Sequence, residues 1–211
     1  FLSHGAAAKL EFAPEVTLEA GLRESFYNTG TFFEESSPSS DLAITTGANK
    51  YASVSGSVIP SGTNEAFTAE AWIKPTTFGV ANDNEYYTIM TQAEDNGHRF
   101  GFWIYQDGRV HVALGPASYY SMIDAAKITS GQWNHVAVTV DYSQVSNKIK
   151  YYLNGALVSV QNLGNDNPYT VGQNFNVGKS LLTNSNVHNF VGQINQVKIW
   201  NGALTESQVS D

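Results

Sequence analysis

His135 stands in GQWNHVAVTV, residues 131–140, two positions after a tryptophan and at the mouth of a strand-like run. A histidine so placed can serve as a general base, a metal ligand, a sugar contact or a hydrogen-bonded part of the framework. Serine-hydrolase chemistry would also need a nucleophile on a strained elbow, and no G-x-S-x-G occurs. Zinc would need clustered ligands, yet His4, His98, His111, His135 and His188 are scattered and the chain has no cysteine. The lack of cysteine also removes disulfides and thiolate nucleophiles. GQNFNVGKS, residues 172–180, has one residue too many between its first glycine and Gly-Lys-Ser for a phosphate loop, and no helical pattern follows it. It reads as a strand end and turn.

Two other groups of residues carry candidate chemistry. NDNEYY at 82–87 and EDNG at 94–97 gather oxygen ligands that suit calcium, with Asp83, Asp95 and Asn96 as the candidate metal ligands beside Glu85 and Glu94. The competing reading is a pair of Asx-rich turns that bind nothing. Arg99, Trp103, Tyr105 and His111 fall on one face of a predicted hairpin, with Tyr119 and Tyr120 in the following loop. Aromatic rings stack on the C–H faces of sugars and Arg or His satisfies hydroxyls, so these six residues are the candidate carbohydrate-binding set. The alternative is that residues 1–40 or a neighbouring subunit covers the rings.

The elements that must position these residues are strands. FTAEAWIKP alternates Phe67, Ala69, Ala71 and Ile73 with Thr68, Glu70, Trp72 and Lys74, then stops at Pro75. RFGFWIYQDGRVHVAL reads as a hairpin around Asp107-Gly108, with Phe100, Phe102 and Ile104 facing Val110, Val112 and Leu114. WNHVAVTVDY places His135, Ala137 and Thr139 on one face and Val136, Val138 and Val140 on the other. KIKYYLNGALVSV is a second hairpin turned at Asn154-Gly155, and FVGQINQVKIWNGAL is a long closing strand. LTESQVS is expected to form a short helix capped by Thr205.

Composition agrees with this all-β reading. Of 211 residues, 42% are hydrophobic and only 14% charged, which favours short strands and tight turns over long amphipathic helices. The net charge of -8, with no Lys/Arg cluster, disfavours nucleic acid. No stretch has the apolar length to span a bilayer, and no charged-then-apolar signal opens the chain. EESSPSSD at 34–41 is loop-like, so the expected division is an N-terminal extension or arm over 1–40 and one main domain over 41–211. Within the extension, GAAAKLEF at 5–12 has the composition of polylinker-encoded residues as well as of native chain, and the chain opens on Phe1 as a processed protein or fragment would.

FTAEAWIKP, GQWNHVAVTVD, YYLNGALV, NVG and FVGQINQVKIWNGALTESQV occur in the order and spacing of laminin-G-like, concanavalin A-like jelly-roll domains. LAITTGANKYASV at 42–54 is similar to that family's opening strand, and the resemblance covers about 42–209. It implies a two-sheet antiparallel β-sandwich with ligand sites on the concave face or loop rim. It does not imply one function, since the fold hosts glycan-binding modules, adhesion domains, appended domains of extracellular enzymes and virion proteins. In this family's closing strand a calcium-binding G-x-I-D-D-V is common, whereas Gly192-Gln193-Ile194-Asn195-Gln196-Val197 has amides there, and neutral oxygens weaken a hard-cation site. Relatives that are retaining glucanases carry E-x-D-x-x-E, and no glutamate here is followed by Asp two residues later. His135 belongs to the family's framework signature. The expectation is therefore a non-catalytic, extracellular, cell-surface or virion-surface module that binds a glycan, helped by calcium. The second expectation is a structural subunit of a virion or surface appendage that assembles through residues 1–40.

Overall fold

The computed structural model describes residues 10–12, 44–47, 50–56, 58–60, 65–78, 85–92, 100–115, 118–121, 126–162, 174–180 and 187–210. The elements in chain order are β1 (Leu10–Phe12), β2 (Ile44–Thr46), β3 (Ala52–Val54), β4 (Ala66–Pro75), β5 (Tyr86–Gln92), β6 (Phe100–Tyr105) and β7 (Val110–Leu114). They continue with β8 (Ser118–Ser121), β9 (Asn134–Asp141), β10 (Ile149–Leu153), β11 (Ala156–Gln161), β12 (Phe175–Val177), β13 (Val187–Asn189), β14 (Gly192–Trp200) and the helix α1 (Glu206–Ser210). Two sheets result, as the alternation predicts. One has six strands in the order β11-β10-β9-β4-β14-β2; the other has eight, β1-β3-β12-β5-β6-β7-β8, with β13 alongside β5. The architecture is the expected sandwich, antiparallel throughout except for the β13–β5 pair.

The core lies between the sheets and uses the apolar phase of each strand. Phe67, Ala69, Ala71 and Ile73 of β4 and Val136, Val138 and Val140 of β9 are buried against Phe100, Phe102 and Ile104 of β6 and Val110, Val112 and Leu114 of β7. Phe67 and Phe100 meet across the layers edge to face, with ring centroids 5.6 Å apart, a favoured aromatic geometry. Their faces follow from the two-residue period, because a strand cannot bury Phe67 inward without presenting Thr68 and Glu70 outward.

The two predicted hairpins use different turns. Asn154 and Gly155 both have positive φ, 50° and 78°, directly between the paired Leu153 and Ala156, so this is a two-residue turn of the mirror-image type. At the other hairpin only Gly108 is left-handed, the Gly108 amide donates to the Tyr105 carbonyl, and the Tyr105 amide donates to the Arg109 carbonyl. Asp107 therefore sits in an ordinary turn, and Gly108 supplies the bulge that closes a three-residue loop. The 42–54 segment also differs from expectation. It forms two short strands in different sheets, β2 paired with β14 and β3 paired with β12 and β1.

Candidate functional site

The outward phase of the six-stranded sheet carries an uncommon set of side chains. Trp72 of β4 is directly opposite His135 of β9, and Glu70 of β4 is directly opposite Lys198 of β14. This last pairing depends on a bulge: between Asn195 and Lys198 strand β14 holds one residue more than β4, and Gln196 takes it up at φ 46°. The Asn195 side-chain oxygen accepts the Gln196 amide at 2.7 Å, which supports the left-handed turn of the backbone. Without the extra residue Lys198 and Trp200 would point into the core.

Glu70 is the centre of the group. It is 5% exposed, and its Oε1 accepts a hydrogen bond from Trp200 Nε1 at 3.0 Å. His135 Nε2 lies 3.4 Å from Oε2, and Lys198 Nζ lies 3.7 Å from Oε1. Burial alone would push the Glu70 carboxyl up. The hydrogen bonds from His135 and Trp200 and the charges of His135 and Lys198 outweigh it and hold the carboxyl below its usual value. Glu70 is thus an ionised anchor that orients three other side chains. His135 is a framework residue in the same sense, its amide held by the Asn154 side-chain oxygen at 2.8 Å and its ring tilted against Trp72 at 5.3 Å.

These residues floor a cleft of about 420 Å³, within the size range of small-molecule sites. Trp72 and Trp200 supply aromatic surface, and Gln196, Lys198, Asn154 and Gln208 supply polar groups. One wall is the chain's C-terminal segment. Thr68 Oγ1 donates to the Gly202 carbonyl and accepts the Leu204 amide, which leads the chain back over the sheet. Val209 and Leu204 then pack on Ala137 and Tyr152. As expected, Thr205 caps α1: Thr205 Oγ1 accepts the Gln208 amide while Gln208 Oε1 accepts the Thr205 amide.

The six residues expected to bind carbohydrate lie on the other sheet or outside the described residues. Trp103 and His111 are a cross-strand pair on the outward phase of β6 and β7, but they are 1% and 6% exposed. They do not form an open strip. Gly101 is the reason for the first: a Cβ at that position would fall within the Trp103 ring, so the missing side chain lets the indole lie flat along its own strand. His111 then stacks on Trp103 at 5.9 Å with Tyr86 edge-on at 5.0 Å. Trp103 Nε1 and Thr88 Oγ1, on paired residues, are buried and have no hydrogen-bond partner among the described residues. Tyr105 is only half-buried, beneath the Arg109 guanidinium at 5.1 Å. Tyr119 and Tyr120 lie in β8, opposite Ala113 and Val112, rather than in a loop. Arg99, and with it Asp83, Asp95 and Asn96, lies outside the described residues. Among the described residues no group of three or more His, Asp or Glu is placed to hold a metal ion.

The cleft was missed although its parts were legible. Thr68, Glu70 and Trp72 share a face, as do His135, Ala137 and Thr139, by simple alternation. What alternation does not provide is the pairing of β4 with both β9 and β14, which is what brings the three contributions together.

Comparison with known proteins agrees with the fold. Domain 4 of an extracellular GH43 arabinanase from Geobacillus stearothermophilus, solved in complex with arabinotriose, superposes with TM-score 0.62 at 19% identity over 97% of this chain and 86% of that one. The botulinum neurotoxin serotype G binding domain matches with TM-score 0.65 at 16% identity over 96% of this chain, which spans 45% of that domain. A heptameric pentraxin from Limulus polyphemus matches with TM-score 0.52 at 21% identity over 70% of each chain. Among curated proteins none matches significantly. A family model described as laminin G type 3, concanavalin A-like lectin/glucanases superfamily, matches residues 46–210, and this chain belongs to that superfamily.

Proposed function

We propose that the protein is a non-catalytic, lectin-like module that binds an extracellular or cell-surface glycan in the cleft on the six-stranded sheet. The observation that carries this reading is the pairing of two partly exposed tryptophans, Trp72 and Trp200, with a polar floor organised by Glu70. Sugar rings need an apolar face to stack on and directional groups for their hydroxyls, and the cleft offers both at the size of a small saccharide. The absence of catalysis is supported by the lining itself. Most glycoside hydrolysis uses two carboxylates flanking one bond, and Glu70 is the one carboxylate among the residues lining the cleft. The arabinanase domain that binds arabinotriose and the neurotoxin binding domain add precedent for recognition by this fold.

The test is binding to a glycan array by the intact chain and by Trp72→Ala. The Trp72 side chain makes no hydrogen bond among the described residues and packs against the His135 ring, so the variant should keep the strand pairing and fold while losing at least tenfold in affinity. Binding that survives Trp72→Ala unchanged would move the site elsewhere on the sandwich.

A further inference from the structure

Resting on that reading, we propose that the cleft selects a saccharide whose end group is anionic, a carboxylate or sulfate ester, rather than a neutral sugar. The argument is an inventory of donors and acceptors. Asn154 commits its side-chain oxygen to the His135 amide at 2.8 Å, which fixes the orientation of its side-chain amide and leaves the Nδ2 hydrogens without a partner among the described residues. Gln208 commits its oxygen twice, to the amide and the hydroxyl of Thr205 at 2.9 and 3.0 Å, and likewise leaves its NH2 group outward. Lys198 Nζ is 3.7 Å from Glu70, close enough for attraction but too long for a hydrogen bond, so its three donors are unspent among the described residues.

The acceptors are used in the opposite sense. Glu70 is 5% exposed and takes its bonds from inside the protein. Beside Gln196, the lining therefore holds an ammonium and two NH2 groups, contributed by β14, the β10–β11 turn and α1. A hydroxyl can accept from such groups singly. A carboxylate or sulfate can accept from several at once, and charge-assisted bonds are roughly twice as strong as neutral ones. The net charge of -8 on the whole chain opposes long polyanions, so the preferred ligand is a single acidic end residue rather than a polysulfated chain.

The probes are methyl glucuronoside and methyl glucoside, which differ in one carboxylate, titrated into the full chain and followed by ligand-observed NMR, with a melting curve for every variant. The glucuronoside is expected to bind at least tenfold more tightly. Asn154→Asp and Gln208→Glu keep size, the capping oxygen and, at position 154, tolerance of positive φ, but each replaces an NH2 donor by an oxygen and adds a negative charge, two changes that both act against an anionic end group. Each should weaken glucuronoside binding by fivefold or more and glucoside binding by a clearly smaller factor, since a hydroxyl loses one neutral bond where the carboxylate loses a charge-assisted one. Lys198→Gln should abolish the preference between the two probes. Equal affinity for both, or a preference for the glucoside, overturns this proposal and leaves glycan binding standing. Failure of both probes, together with an array of neutral and acidic glycans on which nothing binds, overturns the two readings together. Binding of acidic glycans that survives Asn154→Asp and Gln208→Glu also overturns it, since the selecting donors are then elsewhere.

Discussion

Replacing Glu70 by Gln removes one charge from the centre of the cleft with almost no change in volume. The Glu70 carboxylate accepts a charge-assisted bond from Trp200 and lies 3.4 Å from His135. Such bonds contribute about 1.5–3 kcal/mol, and the glutamine oxygen can keep one of them. Lys198 is partly exposed and too distant for a hydrogen bond, so its attraction adds at most about 1 kcal/mol. The expected cost at neutral pH is about 2 kcal/mol, or a drop in melting temperature of about 4–8 °C for a chain of this length. Glu70→Ala should cost more, about 3 kcal/mol, because it also leaves the Trp200 N–H without its acceptor and empties the space of a buried side chain. The pH dependence follows from the direction of the shift. The carboxyl is held below its usual 4.5, so the folded state binds this proton less readily than the unfolded chain. Its contribution is complete above the unfolded value and is lost as the pH falls through the lowered folded value. Urea unfolding of both proteins between neutral pH and about pH 3 should therefore show the gap between wild type and Glu70→Gln closing in acid. A gap below about 0.5 kcal/mol at neutral pH, or one that persists unchanged in acid, would refute the account of Glu70 as an ionised anchor.

Two further outcomes follow from the same geometry. Trp103→Ala should cost about 3–5 kcal/mol, since it empties a fully buried site, whereas Trp103→Phe should cost well under half of that because the indole N–H has no partner to lose among the described residues; a thermal melt of the pair decides it, and a Trp103→Ala protein as stable as wild type would show the ring to be surface material after all. Asn154→Ala should lose about 1–2 kcal/mol by denaturant unfolding, from positive φ and the lost bond to the His135 amide, and Asn154→Gly should lose less because only the bond is gone. Equal losses for the two variants would remove the φ argument.

The contrast between Trp103 and Trp72 explains where sequence reasoning stopped. Both tryptophans lie on the outward phase of a strand, and alternation treats them alike. Trp103 follows Gly101 two positions earlier on the same face and folds down over it, while Trp72 follows Glu70 and stands against His135 of the next strand. Whether an outward ring is open or covered depends on its neighbours across strands, which one strand's periodicity does not contain.

Local chemistry determined the inward and outward faces of β4, β6, β7 and β9, the Asn154-Gly155 turn and the Thr205 cap, because each depends on residues at most a few positions apart, while the resemblance that names the fold rests on segments in order along residues 42–209. His135 could be read as framework through that resemblance. The cleft was decided only by tertiary structure. Glu70, His135 and Lys198 come from strands 63 to 128 residues apart in order of chain position, and they meet through cross-strand register, one bulge at Gln196 and a C-terminal segment folded back over the sheet. Those are long-range choices, made by burying the opposite face of the same strands in the core, and they place a charged anchor among Trp200, His135 and Lys198.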